Sequence, residues 1–242
     1  MITHTKAIIL RSVDYQESSK IITVCSQEHG KIALLARGVK KPKSKLSGII
    51  DIGSILDVVY YYKVNRSVQS LTEATQSVGM HAFRVDFSKS AVLYACLELV
   101  NQVIHDNEVN NGVFHFLSTL IPWLANMPVV SSLLFPYVQL RIMEIIGIGL
   151  FMETDETKPQ LFLNVASGLV GSEAVDELSY ALTNDQARFM KLALQSKNKE
   201  VLALPITAYE VKQLITHLDV YFKYHIEGFQ ERRSDAIFEQ MM

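Results

Sequence analysis

Cysteine is scarce in this chain. Cys25 and Cys96 are the only two in 242 residues, and they stand in no paired motif. Two distant thiols build neither a disulfide framework nor a four-ligand zinc site, so both read as small buried hydrophobes in a reducing compartment. Long apolar runs are missing too. The longest tracts are broken by Arg141 and Glu144, or by Pro122 and Pro128, short of the roughly 18 residues of a membrane span. No secretory leader is expected, because Lys6 and Arg11 flank only four apolar residues. These absences imply a cytoplasmic protein with no membrane partner.

Catalytic signatures are absent as well. There is no G-x-S-x-G elbow, no H-E-x-x-H pair and no phosphate-binding P-loop. Cys25 and His29 are four apart, but nothing aims them into a nucleophile pair. His217 and His225 lie eight apart on one predicted helix and read as packing or surface residues rather than metal ligands. Glu153, Asp155 and Glu156 read as a solvated loop. The chain is expected not to be an enzyme and to need no cofactor and no metal.

What is present is charge in one place. Arg37-Gly38-Val39-Lys40-Lys41-Pro42-Lys43-Ser44-Lys45 carries five cations and no acid. Such a run repels itself and must stay solvated or meet an anionic partner. Gly38 and Pro42 make it a loop. Residues 1–80 hold eleven Lys and Arg against six acids, whereas the whole chain has a formal charge of −2. A basic binding module on an acidic body follows.

Strand grammar fills those eighty residues. Thr5–Arg11, Ser18–Cys25, Ile32–Ala36, Ile55–Tyr62 and Val68–Ala74 are rich in β-branched and aromatic residues, with turn signals between them. Five short strands suit an OB-fold barrel. Tyr60, Tyr61 and Tyr62 share one strand, so alternation sets Tyr61 opposite the other two. They either present a stacking face or pack the barrel or the helical body. From Arg84 the period becomes helical, with Ser88 as a candidate cap. Further helices are predicted over Val113–Ala125, over Ser131–Ile146, from Asn184, and from Thr207, where Glu210 completes a capping box. Residues 151–176 read as an irregular loop. The expected class is α+β: an N-terminal five-stranded OB-fold β-barrel domain over 1–80, followed by an all-helical C-terminal domain over 81–242.

Three blocks resemble the RecO family of bacterial recombination mediators. Ala7–Thr23, with Asp14-Tyr15-Gln16-Glu17, is similar to that family's opening strand, D-Y-x-E hairpin and second strand. His29-Gly30-Lys31-Ile32 through Ala36–Ser44 is similar to its H-G-K and A-R-G-V-K-K-P-K-S signature. Tyr221–Phe229 resembles its final Y-x-x-x-H-x-x-G helix end. The resemblance implies a non-enzymatic protein of DNA repair and recombination. Such a protein binds single- and double-stranded DNA, anneals strands, pairs with RecR and engages the acidic, hydrophobic tail of single-strand-binding protein (SSB). It helps load recombinase in the RecF pathway and associates with the nucleoid when bound to DNA. Many family members carry a four-cysteine zinc site. The corresponding stretch here, Phe151–Glu173, has no cysteine, so zinc is not expected and packing alone is left to hold the loop.

The candidate DNA-binding residues are Arg37, Lys40, Lys41, Lys43 and Lys45, extended by Arg11 and Lys20 on neighbouring predicted strands. Arg141, on an otherwise apolar helix, is the candidate for docking the SSB tail, with an ion pair to Glu144 or Glu98 as the other reading. A second functional reading is a protein-interaction scaffold whose basic loop contacts an acidic partner.

Overall fold

The computed structural model describes residues 1–153, 160–195 and 199–241, in two compact units, Met1–Pro128 and Val129–Met242. Positions 154–159 of the expected irregular loop lie outside the described residues.

The first unit starts with five strands: β1 (Ile2–Tyr15), β2 (Ser19–Ser26), β3 (Gly30–Ala36), β4 (Ile55–Tyr61) and β5 (Val68–Val78). They close into a barrel in the order β1-β2-β3-β5-β4, with β3 and β5 parallel and the other pairs antiparallel. Alternation explains the closure. Ile9, Ile22, Val24, Leu34, Leu56, Val58 and Tyr60 point inward and form one buried core. A bulge between Ile9 and Arg11 bends β1, as closure of so small a barrel demands.

Three helices complete this unit: α1 (His81–Val85), α2 (Phe87–Val103) and α3 (Asn111–Ala125). The α2 cap is Asp86, whose carboxylate accepts from the Lys89 amide, and expected cap Ser88 falls inside the first turn. Asn111 and Gly112 open α3 ahead of the predicted start at Val113, because the Asn110 side chain caps Val113. Ile8, Leu10 and Cys25 on the outer barrel wall are buried, with α2 and α3 packed on β1.

The second unit contains α4 (Leu134–Ile145), α5 (Asn184–Gln195), α6 (Ala208–His225), α7 (Asp235–Glu239) and a small sheet against which α5 packs. The expected capping box of Thr207 and Glu210 starts α6. The sheet was not expected. Its strands β6 (Phe151–Met152), β7 (Leu161–Asn164), β8 (Leu169–Gly171) and β9 (Ser179–Leu182) are ordered β6-β8-β7-β9. Two to four residues are too few to show alternation. Packing does not hold this segment alone. Buried Asn164 donates to the carbonyls of Leu169 and Glu173 and accepts from the Val175 amide and the Ser179 hydroxyl. That uses its full bonding capacity. An imidazole nitrogen of His225 also bonds the Val165 carbonyl at 2.9 Å.

Arg232, buried against the Phe135 ring, makes a bidentate pair with Asp219 at 2.6 Å and bonds Asp235 at 2.9 Å, pinning the chain's end onto α6. No described helix is long and apolar enough to cross a membrane.

Candidate nucleic-acid interface

The basic segment is a braced loop. Successive turns close from Lys41 to Gly38, Ser44 to Lys41 and Ser47 to Ser44. Gly38 has φ of 65°, a conformation that costs glycine nothing. Val39 and Ile50 are buried in the barrel core, and Leu46 and Ile49 pack against it. The Lys40 amide donates to the Ser18 carbonyl at 3.0 Å. With its apolar residues turned in, the loop turns Arg37, Lys40, Lys41, Lys43 and Lys45 out to solvent.

The five cations are not equivalent. Lys40 pairs with Asp14 at 2.6 Å, and its hydrogen bond holds the Asp14 carboxyl below the usual carboxylate range. Among the described residues, no acid pairs with Arg37, Lys41, Lys43 or Lys45. Arg11 and Lys20 sit on opposite faces of the sheet. Arg11 opposes Thr23 and points outward. Lys20 opposes Asp14 and Ala36, at the barrel mouth. There it lines a cleft of about 320 Å³ with Ser12, Asp51, Arg84 and Tyr94. Arg84 pairs with Asp51.

The His29-Gly30-Lys31 triplet is a clamp within the first unit. Ser26 Oγ donates to the Gly30 carbonyl and accepts from the His29 amide, shaping the β2–β3 turn. Gly30 has φ of 64°, and a Cβ there would lie 1.8 Å from the Glu108 carbonyl oxygen. Lys31 Nζ donates to the Asn101 carbonyl near the end of α2 at 3.0 Å and pairs with Asp106 at 3.2 Å. The Lys31 carbonyl accepts from the Asn107 amide at 2.8 Å.

The three tyrosines part company. Tyr60 is buried in the core, and burial pushes its hydroxyl up to about 12. The phenol shares a hydrogen bond with His29 Nδ1 at 2.6 Å. Burial, opposed by Glu28, holds His29 below the ordinary imidazole value. Tyr62 stacks on the His29 ring with centroids 3.7 Å apart. Tyr61 alone is exposed. Lys63 and Arg66, in the turn that follows, belong to the basic N-terminal half but not to the candidate DNA-binding residues. Their signal was two cations placed immediately after a tyrosine run.

Burial also pushes the Cys25 thiol up to about 12, which leaves it a poor nucleophile. On α4, Arg141 pairs with Glu144, and its side chain is 13% exposed. His217 stacks on Tyr180 at 4.6 Å. Among the described residues, no group of three or more His, Cys, Asp or Glu is placed to hold a metal ion.

Comparison with known proteins agrees with these motifs. A family model described as "Recombination protein O N terminal" matches residues 1–78, and one described as "Recombination protein O C terminal" matches residues 84–235. The DNA repair protein RecO of Chloroherpeton thalassium is 26% identical over 258 residues, covering 100% of both chains. That of Chlorobium limicola is 26% identical over 268 residues, covering 100% of this chain and 99% of its own. That of Salinibacter ruber is 32% identical over 148 residues, 61% of this chain and 57% of its own. With both halves matched in order, the chain belongs to the RecO family of DNA repair proteins.

Proposed function

We propose that this protein is a non-enzymatic recombination mediator. It binds single- and double-stranded DNA, anneals complementary strands and acts with RecR and SSB to load recombinase. Family membership supports the role. The observation that carries DNA binding is the braced loop, which holds Arg37, Lys41, Lys43 and Lys45 exposed and unpaired with any described acid at the end of a rigid barrel. Cations on a preformed loop grip phosphates with only their own side chains left to order. Arg37 is the strongest single contributor, because guanidinium binds phosphate bidentately. Lys20 acts from the barrel mouth and Arg11 from the outer wall.

The acidic SSB tail docks at Arg141 by displacing Glu144, its neighbour one turn along α4. Peptide binding that survives Arg141→Ala would move that site elsewhere.

The test of DNA binding is fluorescence anisotropy across a salt series, with single-stranded and duplex oligonucleotides. Replacing Lys41, Lys43 and Lys45 by Ala is expected to weaken binding to all sequences alike and to flatten the salt dependence. An unchanged affinity and slope would make the loop a solubilising tip.

A further inference from the structure

The barrel carries an outward row of apolar and aromatic side chains that its own helices leave bare. Cross-strand partners run Val13–Ile21–Leu35–Ser70–Tyr61–Ile2, through β1, β2, β3, β5, β4 and back to β1. The neighbours Ile22, Leu34, Ala36 and Tyr60 point into the core, so the pleat turns this row to the outside. Val13 is 39% exposed, Tyr61 48% and Ile2 54%. Tyr15, two residues beyond Val13 on the same face, is 40% exposed. Further along the same wall, Cys25 and Ile8 are buried.

Charge selects the occupant. Arg66 Nη1 donates to Ser70 Oγ at 3.4 Å, which sets a guanidinium over the row beside Tyr61. Arg11 lies one pleat from Val13 on the outward face, and Arg37 follows Leu35 at the same spacing. No carboxylate occupies this row or the neighbouring row Arg11–Thr23–Ala33–Val68. Stackable rings flanked by cations, with the nearest outward carboxylate on β5, Glu73, one pleat away opposite Val59, match a chain of flat bases on a phosphate backbone. A duplex keeps its base faces inside the stack and could meet only the cations. From Val13 to Tyr61 is four strand spacings, about 19 Å around the wall, room for a short run of nucleotides.

We infer that Tyr61 and Tyr15 are stacking platforms for the unpaired bases of a single strand. The row then gives the barrel a single-strand preference that the basic loop cannot supply. This rests on the DNA-binding reading above, and the test separates the two. Anisotropy is measured with an oligothymidylate of about 16 nucleotides and with a hairpin duplex. Tyr15→Ala combined with Tyr61→Ala is expected to weaken oligothymidylate binding about thirtyfold or more, at about fivefold or more for each ring lost. Duplex affinity and the salt slope should stay as in the wild type, because no cation is lost. Tyr61→Phe, which keeps the ring, should bind as the wild type does. A 2-aminopurine placed in the thymidylate strand should be quenched on binding to the wild type and less so by the double variant. Wild-type affinity in the double variant, or an equal loss on the duplex, would overturn the inference and leave DNA binding by the loop standing. A wild-type protein that binds neither oligonucleotide sinks both.

Discussion

Asp14 masks Lys40, and removing the mask should strengthen DNA binding. The two groups meet at 2.6 Å in an exposed pair, so at neutral pH a phosphate meets a dipole there rather than a cation. Asp14→Asn keeps the shape and releases the charge. One further phosphate contact on a single strand steepens the salt dependence by about 0.7. Between about 50 and 200 mM salt, that slope gives about a 2.5-fold greater fall in affinity. Because the pair is solvent-exposed, folding stability should hardly change. Two controls isolate the effect. Lys40→Ala alone should be almost silent, whereas Lys41→Ala should flatten the slope by about 0.7. In the Lys40→Ala background, Asp14→Asn should lose most of its benefit, and what remains measures the long-range effect of deleting an acid. The assay is anisotropy of a labelled oligothymidylate at four or more salt concentrations. If Lys40→Ala costs as much as Lys41→Ala in the otherwise native protein, the masking argument is wrong.

Gly30→Ala should destabilise by about 3 kcal/mol or more, since a forbidden contact with the Glu108 backbone adds to a left-handed φ; a urea midpoint within error of the wild type would refute the clamp. Asn164→Ala should cost about 2–4 kcal/mol, because several groups in the small sheet lose their partner together; chemical denaturation reads it. His217 gives a pH prediction. Burial lowers its folded-state pKa, and Nδ1 is buried without a partner among the described residues. Protonation therefore favours the unfolded chain, so stability is full above about 6.5 and falls as pH drops from there towards the folded value. A melting-temperature series should show this fall, and His217→Phe should make it shallower; an identical pH profile in the variant would exclude His217 as a source.

The barrel was legible because β-branched runs and turn residues recur at short intervals, and each of the five expected runs overlaps an observed strand. The position of the basic loop was legible from its charge. Its rigidity was not, because Val39 and Ile50 lie among polar neighbours and enter the core only once the barrel has closed. The unequal standing of the lysines was hidden for a similar reason. Asp14 is 26 residues from Lys40 in sequence, and only the β1–β2 and β2–β3 pairings together bring it near. Tyr60–Tyr62 showed the limit of alternation. It separates two faces, but it cannot say that one tyrosine fills the core while another lies on a histidine. The small sheet escaped notice because Asn164, a side chain common in loops, organises it.

The glycine–lysine clamp bears on how the molecule can be divided. A fragment ending at residue 80 would keep all five strands and lose everything the barrel leans on. Ile8, Leu10 and Cys25 would be stripped to water, and Lys31 would lose both the carbonyl and the carboxylate that now receive its ammonium. Such a piece would offer an adhesive flank to its own copies. A fragment ending at Pro128 keeps that flank covered. Calorimetry on the longer piece should give one transition, in which strands and helices melt together, because the hairpin turn and the α2–α3 connection cannot let go of each other separately.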